Sequence, residues 1–142
     1  MKFEVLGQPQ GKQRVKATVR GGFAKVYTPA DTISYENKIY SAYIQAQEQL
    51  TNKLWDEPLK ITLTAFYSIP KSFSKKKVAA ALAGLIRPLV KPDIDNIVKV
   101  VCDALNSVAY HDDKQIIKIV TEKFYSNEPK LVIEIEEFKI EN

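Results

Sequence analysis

The chain has 142 residues, which fits one domain able to bury a core without cross-links. With 45% hydrophobic and 27% charged residues it is not a disordered chain, and one Cys (Cys102) with one His (His111) excludes an intramolecular disulfide and a zinc centre built from Cys and His. The net charge is a modest +4, no stretch approaches the ~18 apolar residues of a membrane span, and the opening segment, with Glu4, does not read as a signal peptide, so a soluble cytoplasmic protein is expected.

Residues 3–6 (Phe-Glu-Val-Leu) read as a short strand, broken by Gly7, Pro9 and Gly11. Residues 12–27 alternate weakly about Gly21-Gly22 and fit either a loose hairpin or a loop. Thr28 as N-cap, Pro29 at the first helical position and Asp31 reaching back predict a helix start. Ile39, Tyr43, Ala46 and Leu50, supported by Tyr40 and Ile44, extend that helix over about 30–52 with one buried stripe. Residues 59–69 alternate as a strand with Ile61, Leu63, Ala65, Tyr67 and Ile69 on one face, and Pro70 ends it. Ser72 or Ser74 caps a short helix over 75–83, stopped by Gly84, and residues 84–92 form a proline-containing connection. Residues 95–106 predict a helix that buries Ile97, Val101, Ala104 and Leu105, with Cys102 as a small core residue. The last third predicts a hairpin: a strand over Gln115–Phe124, a turn at Ser126-Asn127-Glu128-Pro129, and a strand over Leu131–Phe138 whose Leu131, Ile133 and Ile135 face away from Glu134 and Glu136. This order implies an α+β sheet with helices packed on it, in a single domain over residues 1–142.

The small net charge hides an uneven distribution. Residues 1–27 hold six Lys/Arg (Lys2, Lys12, Arg14, Lys16, Arg20, Lys25) and one acid, and residues 71–91 hold six (Lys71, Lys75, Lys76, Lys77, Arg87, Lys91) and none. Residues 92–113 hold five Asp and one Lys. Two basic arms suggest a polyanion, with nucleic acid as the default. With zinc excluded, the acids between them point to Mg²⁺ or Mn²⁺ held by oxygen.

In Lys91-Pro92-Asp93-Ile94-Asp95-Asn96, the proline biases Lys91 toward extended backbone. If residues 93–95 are extended too, Asp93 and Asp95 project to the same side, and Asp95 or Asn96 caps the helix. Asp95, Lys99 and Asp103 then lie at i, i+4 and i+8 on one polar face. Asp112-Asp113, one short loop later, would close a metal cage from Asp93, Asp95 and Asp112 or Asp113. Close carboxylates repel unless a cation bridges them. A cation so held activates water and stabilises a leaving oxyanion, and Lys99 is placed to balance phosphate charge. Each residue also has a plainer reading: Asp93 and Asp95 as loop and cap, Asp112-Asp113 as a turn, Lys99 as a solvated helix residue. The conjunction carries the functional one.

The run Lys91-Pro-Asp-Ile-Asp-Asn-(x)2-Lys-(x)3-Asp-Ala-Leu-Asn, followed by Asp112-Asp113-x-Gln115-Ile, resembles the RusA family of Holliday-junction resolvases, endodeoxyribonucleases often carried by phages and prophages. Gly7, Pro9, Lys12, Arg14 and the Ser74–Lys77 segment are similar as well, so the likeness spans most of the chain. The resemblance implies a homodimer of mixed α/β fold that binds four-way DNA junctions and cuts them symmetrically with Mg²⁺, in recombination and repair. It puts the catalytic acids at Asp93, Asp95 and Asp113 and the important lysine at Lys99. Lys12, Arg14, Lys16, Lys71, Lys75, Lys76, Lys77, Arg87 and Lys91 are the residues expected to dock the DNA backbone. Ser107 departs from the Gly that many members carry. The competing readings are a non-catalytic branched-DNA-binding module, whose acids serve as caps and dimer contacts, and a nuclease acting on flaps or other branched DNA.

Overall fold

Strands β1 (Lys2–Leu6), β4 (Leu59–Ser68), β5 (Ile116–Ser126) and β6 (Lys130–Glu137) form one sheet, and β2 (Lys16–Arg20) and β3 (Phe23–Tyr27) form a separate two-stranded ribbon. Helices α1 (Ala30–Gln47), α2 (Lys75–Leu82) and α3 (Ile94–Leu105) complete the α+β architecture. The structure is a computed structural model that describes residues 1–48 and 54–140. No described helix is long and apolar enough to cross a membrane.

The sheet is mixed, in the order β1-β6-β4-β5, with β4 parallel to β5 and the other pairs antiparallel. This corrects the expected C-terminal hairpin. Both strands and the turn between them exist, but β4 lies between β5 and β6, and the 127–129 turn crosses over its end. The physical reason is burial. Leu59, Ile61, Leu63, Ala65 and Tyr67 of β4 are all fully buried, which suits a central strand, whereas β5 carries Lys118, Glu122 and Lys123 and suits an edge. The helix-bearing link from β4 to β5 is also the kind of crossover that parallel neighbours need.

One apolar cluster joins this face of β4 to Leu131, Ile133 and Ile135 of β6, Phe3 and Val5 of β1, and stripes from two helices. From α1 come Tyr35, Ile39 and Tyr43, and from α3 come Ile97, Val100, Val101 and Leu105. Tyr40, expected to support the α1 stripe, is exposed. The expected capping box at Thr28 is absent: Pro29 is the N-cap, no side chain caps it, and its carbonyl accepts the N–H groups of Thr32 and Ile33. Helix α1 ends at Gln47, and the predicted extension over residues 49–52, Leu50 included, lies outside the described residues. Ser74 caps α2 as expected, accepting the Lys77 N–H at 3.2 Å, and Gly84 takes a left-handed φ of 77° just past the helix end.

Candidate active site

Helix α3 begins one residue before the Asp-x-Asp spacing would allow both acids to be extended. Asp93 is the extended N-cap (φ −73°, ψ 155°), while Ile94 and Asp95 are already helical, so the expected shared projection from an extended strand is replaced by a cap followed by a first turn. Asp93 makes no side-chain capping bond, and neither Asp95 nor Asn96 is the cap. The polar face runs as expected: Asp95, Lys99 and Asp103 are exposed along the helix, opposite buried Ile97, Val101 and Leu105. Among the described residues, the side chains of Asp93, Asp95 and Lys99 have no hydrogen-bond or ion-pair partner, whereas Asp103 is bound by Lys12 at 3.2 Å.

Two further segments fix this helix start. Tyr67, at the buried end of β4, donates its hydroxyl to the Pro92 carbonyl at 2.5 Å. Burial, and then the nearby Asp93 charge, push its phenol well above the ordinary value, so the hydroxyl stays a donor. The N-terminal Gly7–Lys12 segment crosses over the motif, and Lys12 donates its backbone N–H to the Asn96 carbonyl at 2.9 Å. A Cβ on Gly11 would lie 2.8 Å from the Asn96 Cβ and 2.9 Å from the Pro92 Cβ, so only glycine fits there. Sequence reasoning treated Gly11 as a mere strand breaker and missed its role; the signal was its place in a Gly-x-Pro-x-Gly run.

The Asp112–Asp113 pair sits in a short 3₁₀ turn (Asp113–Gln115) closed by a capping box. Asp112 accepts the Lys114 N–H at 2.9 Å. Gln115 accepts the N–H groups of His111 and Asp112 and donates to the Trp55 carbonyl at 2.8 Å, while His111 Nε2 lies 2.6 Å from Asp56 Oδ1. The pair is thereby tied to residues 55–57. The Asp112 carboxyl is held below the usual range, first by the Lys114 N–H and then by its hydrogen bond with Asp113, and Asp113 is raised chiefly by that same bond.

Burial, and then the Asp113 and Asp103 charges, raise the Cys102 thiol to about 11, so this half-buried cysteine stays a neutral thiol. Among the described residues, no three His, Cys, Asp or Glu side chains gather closely enough to hold a metal. The donor chemistry still suits a hard divalent cation, since every candidate ligand is a carboxylate.

The basic residues divide into engaged and unengaged ones. Lys12 is engaged: half-buried, it bridges Glu36 at 2.6 Å and Asp103 at 3.2 Å, which joins α1 to α3. Arg87 stacks on the Phe124 ring at 3.7 Å and binds the Gly84 and Lys123 carbonyls. Lys77 lies 4.1 Å over Phe73. Arg14, Lys16, Lys71, Lys75, Lys76 and Lys91 are exposed and make no ion pair among the described residues.

A curated relative, described as an uncharacterized protein YqaN of Bacillus subtilis (strain 168), is 37% identical over 139 residues, covering 96% of each chain. The family described as Endodeoxyribonuclease RusA matches residues 7–136, a span that takes in the N-terminal crossing segment, the basic arms except Lys2, and all the motif acids. The chain therefore belongs to the RusA endodeoxyribonuclease family.

Proposed function

We propose that the protein is a structure-selective endodeoxyribonuclease that resolves four-way DNA junctions by paired, symmetric cuts in recombination and repair, using Mg²⁺ or Mn²⁺. The observation that carries this reading is the exposed end of α3, where two carboxylates and an ammonium stand without partners among the described residues. Nucleases of this family generally depend on a divalent cation. In this reading Asp93, Asp95 and Asp113, with Asp112 beside them, would have to draw together around such a cation, which would polarise the phosphate and make an attacking water more acidic.

The chain's own groups do the rest. Asp93 leaves its carboxylate unspent at the cap, and Tyr67 and Gly11 hold that cap in place. Lys99 lies one turn past Asp95, about 6 Å along the axis, where an ammonium offsets charge growing on the phosphate. Arg14, Lys16, Lys71 and Lys91 give backbone affinity without base recognition. Lys75, Lys76 and Lys77 crowd the positive end of α2, a local cost that a DNA phosphate relieves. Two symmetric cuts require two sites, so the acting form is a homodimer.

The test is Asp95→Asn, assayed on synthetic junction, flap and duplex DNA with Mg²⁺. Junction cleavage is expected to fall about a hundredfold or more, with binding kept or tightened as repulsion from phosphate drops. Mg²⁺ is expected to raise the melting temperature of the wild type and not of the variant. Unchanged cleavage would remove Asp95 from the site. Cleavage of flaps in preference to junctions would replace the resolvase reading with that of a flap nuclease. Sedimentation giving a monomer at working concentration would remove the paired-cut scheme.

A further inference from the structure

The β2–β3 ribbon stands clear of the core, and every one of its residues is exposed. Its register pairs Lys16 with Tyr27, Thr18 with Lys25 and Arg20 with Phe23, and between these Ala17 with Val26 and Val19 with Ala24. Side chains alternate across a strand, so the ribbon has two unlike faces. One carries three cations and two aromatic rings; the other carries only Ala and Val. No acid occurs between Glu4 and Asp31, and Lys16, Arg20 and Lys25 make no ion pair among the described residues. Phe23 is 80% exposed at the Gly21-Gly22 tip, next to Arg20. A bare ring at the end of a cationic ribbon holds apolar surface in water at a cost that a stacked partner would remove.

We infer that the cationic-aromatic face of this ribbon recognises the branch point of DNA. Lys16, Arg20 and Lys25 lie on backbone phosphates, and Phe23 stacks on a base left open at the branch. The inference rests on the proposed function and adds to it the element that tells branched from linear DNA. In a linear duplex each base is already stacked on both sides and offers the ring no face. At a branch the continuous stack is broken, and an exposed base face becomes available to an aromatic side chain. The charge of the face selects the occupant: a second copy of the ribbon would set cations against cations, whereas a polyanion complements them.

The experiment uses the full-length protein, a four-way junction carrying the fluorescent base 2-aminopurine beside the branch, and a linear duplex of the same sequence. Wild-type binding is expected to quench the probe. Phe23→Ala is expected to lose the quenching and to weaken junction binding roughly 5- to 100-fold, the range for losing one stacked base, with duplex affinity unchanged. Phe23→Trp is expected to restore both. If Phe23→Ala binds the junction with wild-type affinity and quenching, the ribbon inference falls while the proposed function stands. A wild-type protein that neither prefers nor cleaves branched DNA overturns the proposed function, and the inference with it. If Phe23→Ala changes only the sedimentation of the free protein, the ribbon is a contact between copies and the inference is again overturned.

Discussion

Strand β4 and the β2–β3 ribbon are both alternating sequences, and they end in opposite environments. Every second residue of β4 from Leu59 to Tyr67 is fully buried, while Val19 and Val26 of the ribbon are 74% and 62% exposed. Alternation fixes which residues share a face; it does not fix what that face meets. In β4 the face meets α1 and α3 through one continuous cluster. In the ribbon it meets solvent, which leaves the opposite cationic face equally unobstructed.

The largest expected difference tests this directly. Leu63→Ala opens a cavity at the centre of the sheet and is expected to cost about 2–5 kcal/mol in urea denaturation. Val19→Ala, the same kind of truncation in the ribbon, is expected to cost under about 0.5 kcal/mol. Equal costs would mean that the apolar face of the ribbon is covered in the folded protein.

Glycines sharpen the same contrast. Gly21 and Gly22 have open space around them and are required only for their positive φ, at 58° and 82°. Gly11 is required for close approach. Gly11→Ala is expected to cost about 1–3 kcal/mol and to displace the start of α3, read as lost stability together with lost cleavage.

These contrasts also show what could be read from the sequence. The faces of β4 and β6, the α3 stripe, the Ser74 cap and the exposed Asp95-Lys99-Asp103 row were legible because each follows from local periodicity or a local cap. The pairing of β5 with β4 was not, because the Ser126–Pro129 turn signal is the same whether the flanking strands pair or straddle a third. The hairpin-or-loop ambiguity at 12–27 had the same source, since no apolar face there was committed to a core. At the site, residue types were legible but their partners were not. Lys12 and Arg14 look alike in sequence, yet one is clamped by Glu36 and Asp103 from two helices and the other is exposed. The tie of Gln115 to Trp55 spans a separation that no local pattern reports.

Lys12 and Arg14 therefore give the next prediction. Lys12→Ala is expected to cost about 1 kcal/mol of stability. Burial pulls the Lys12 ammonium pKa down, but hydrogen bonds to Glu36 and Asp103 outweigh it and raise it above the ordinary 10.5. The contribution is therefore complete below pH 10.5 and is lost as pH climbs through the raised value. Arg14→Ala is expected to leave stability unchanged and to flatten the dependence of log affinity on log salt by about 0.9, one phosphate contact.

A smaller effect is expected at the aspartate pair. Asp113 keeps its proton to higher pH than an ordinary carboxyl because Asp112 bonds to it. Asp112→Asn removes that negative neighbour, so the Asp113 titration followed by NMR is expected to move to lower pH, and the acid limb of cleavage with it. An unmoved titration would mean that the two carboxyls are not in contact in solution.

The smallest effect concerns Ser107, which meets with a side chain the same backbone demand that the ribbon tip meets with glycine. Its φ is 62°, in the left-handed region, within the link between α3 and the Asp112–Asp113 turn. A Cβ there is strained, and glycine is not. Ser107→Gly is expected to stabilise the fold by about 0.5–1 kcal/mol, a rise of roughly 2–4 °C in melting temperature, because the relief of strain exceeds the added freedom of the unfolded chain. The reverse change at the ribbon, Gly21→Ala, adds a Cβ at nearly the same φ in open space, so it reports the strain alone. Matching magnitudes of opposite sign would show that the backbone conformation sets the effect at both places. A Ser107→Gly variant that loses stability would mean instead that the Ser107 side chain makes a contact outweighing its strain.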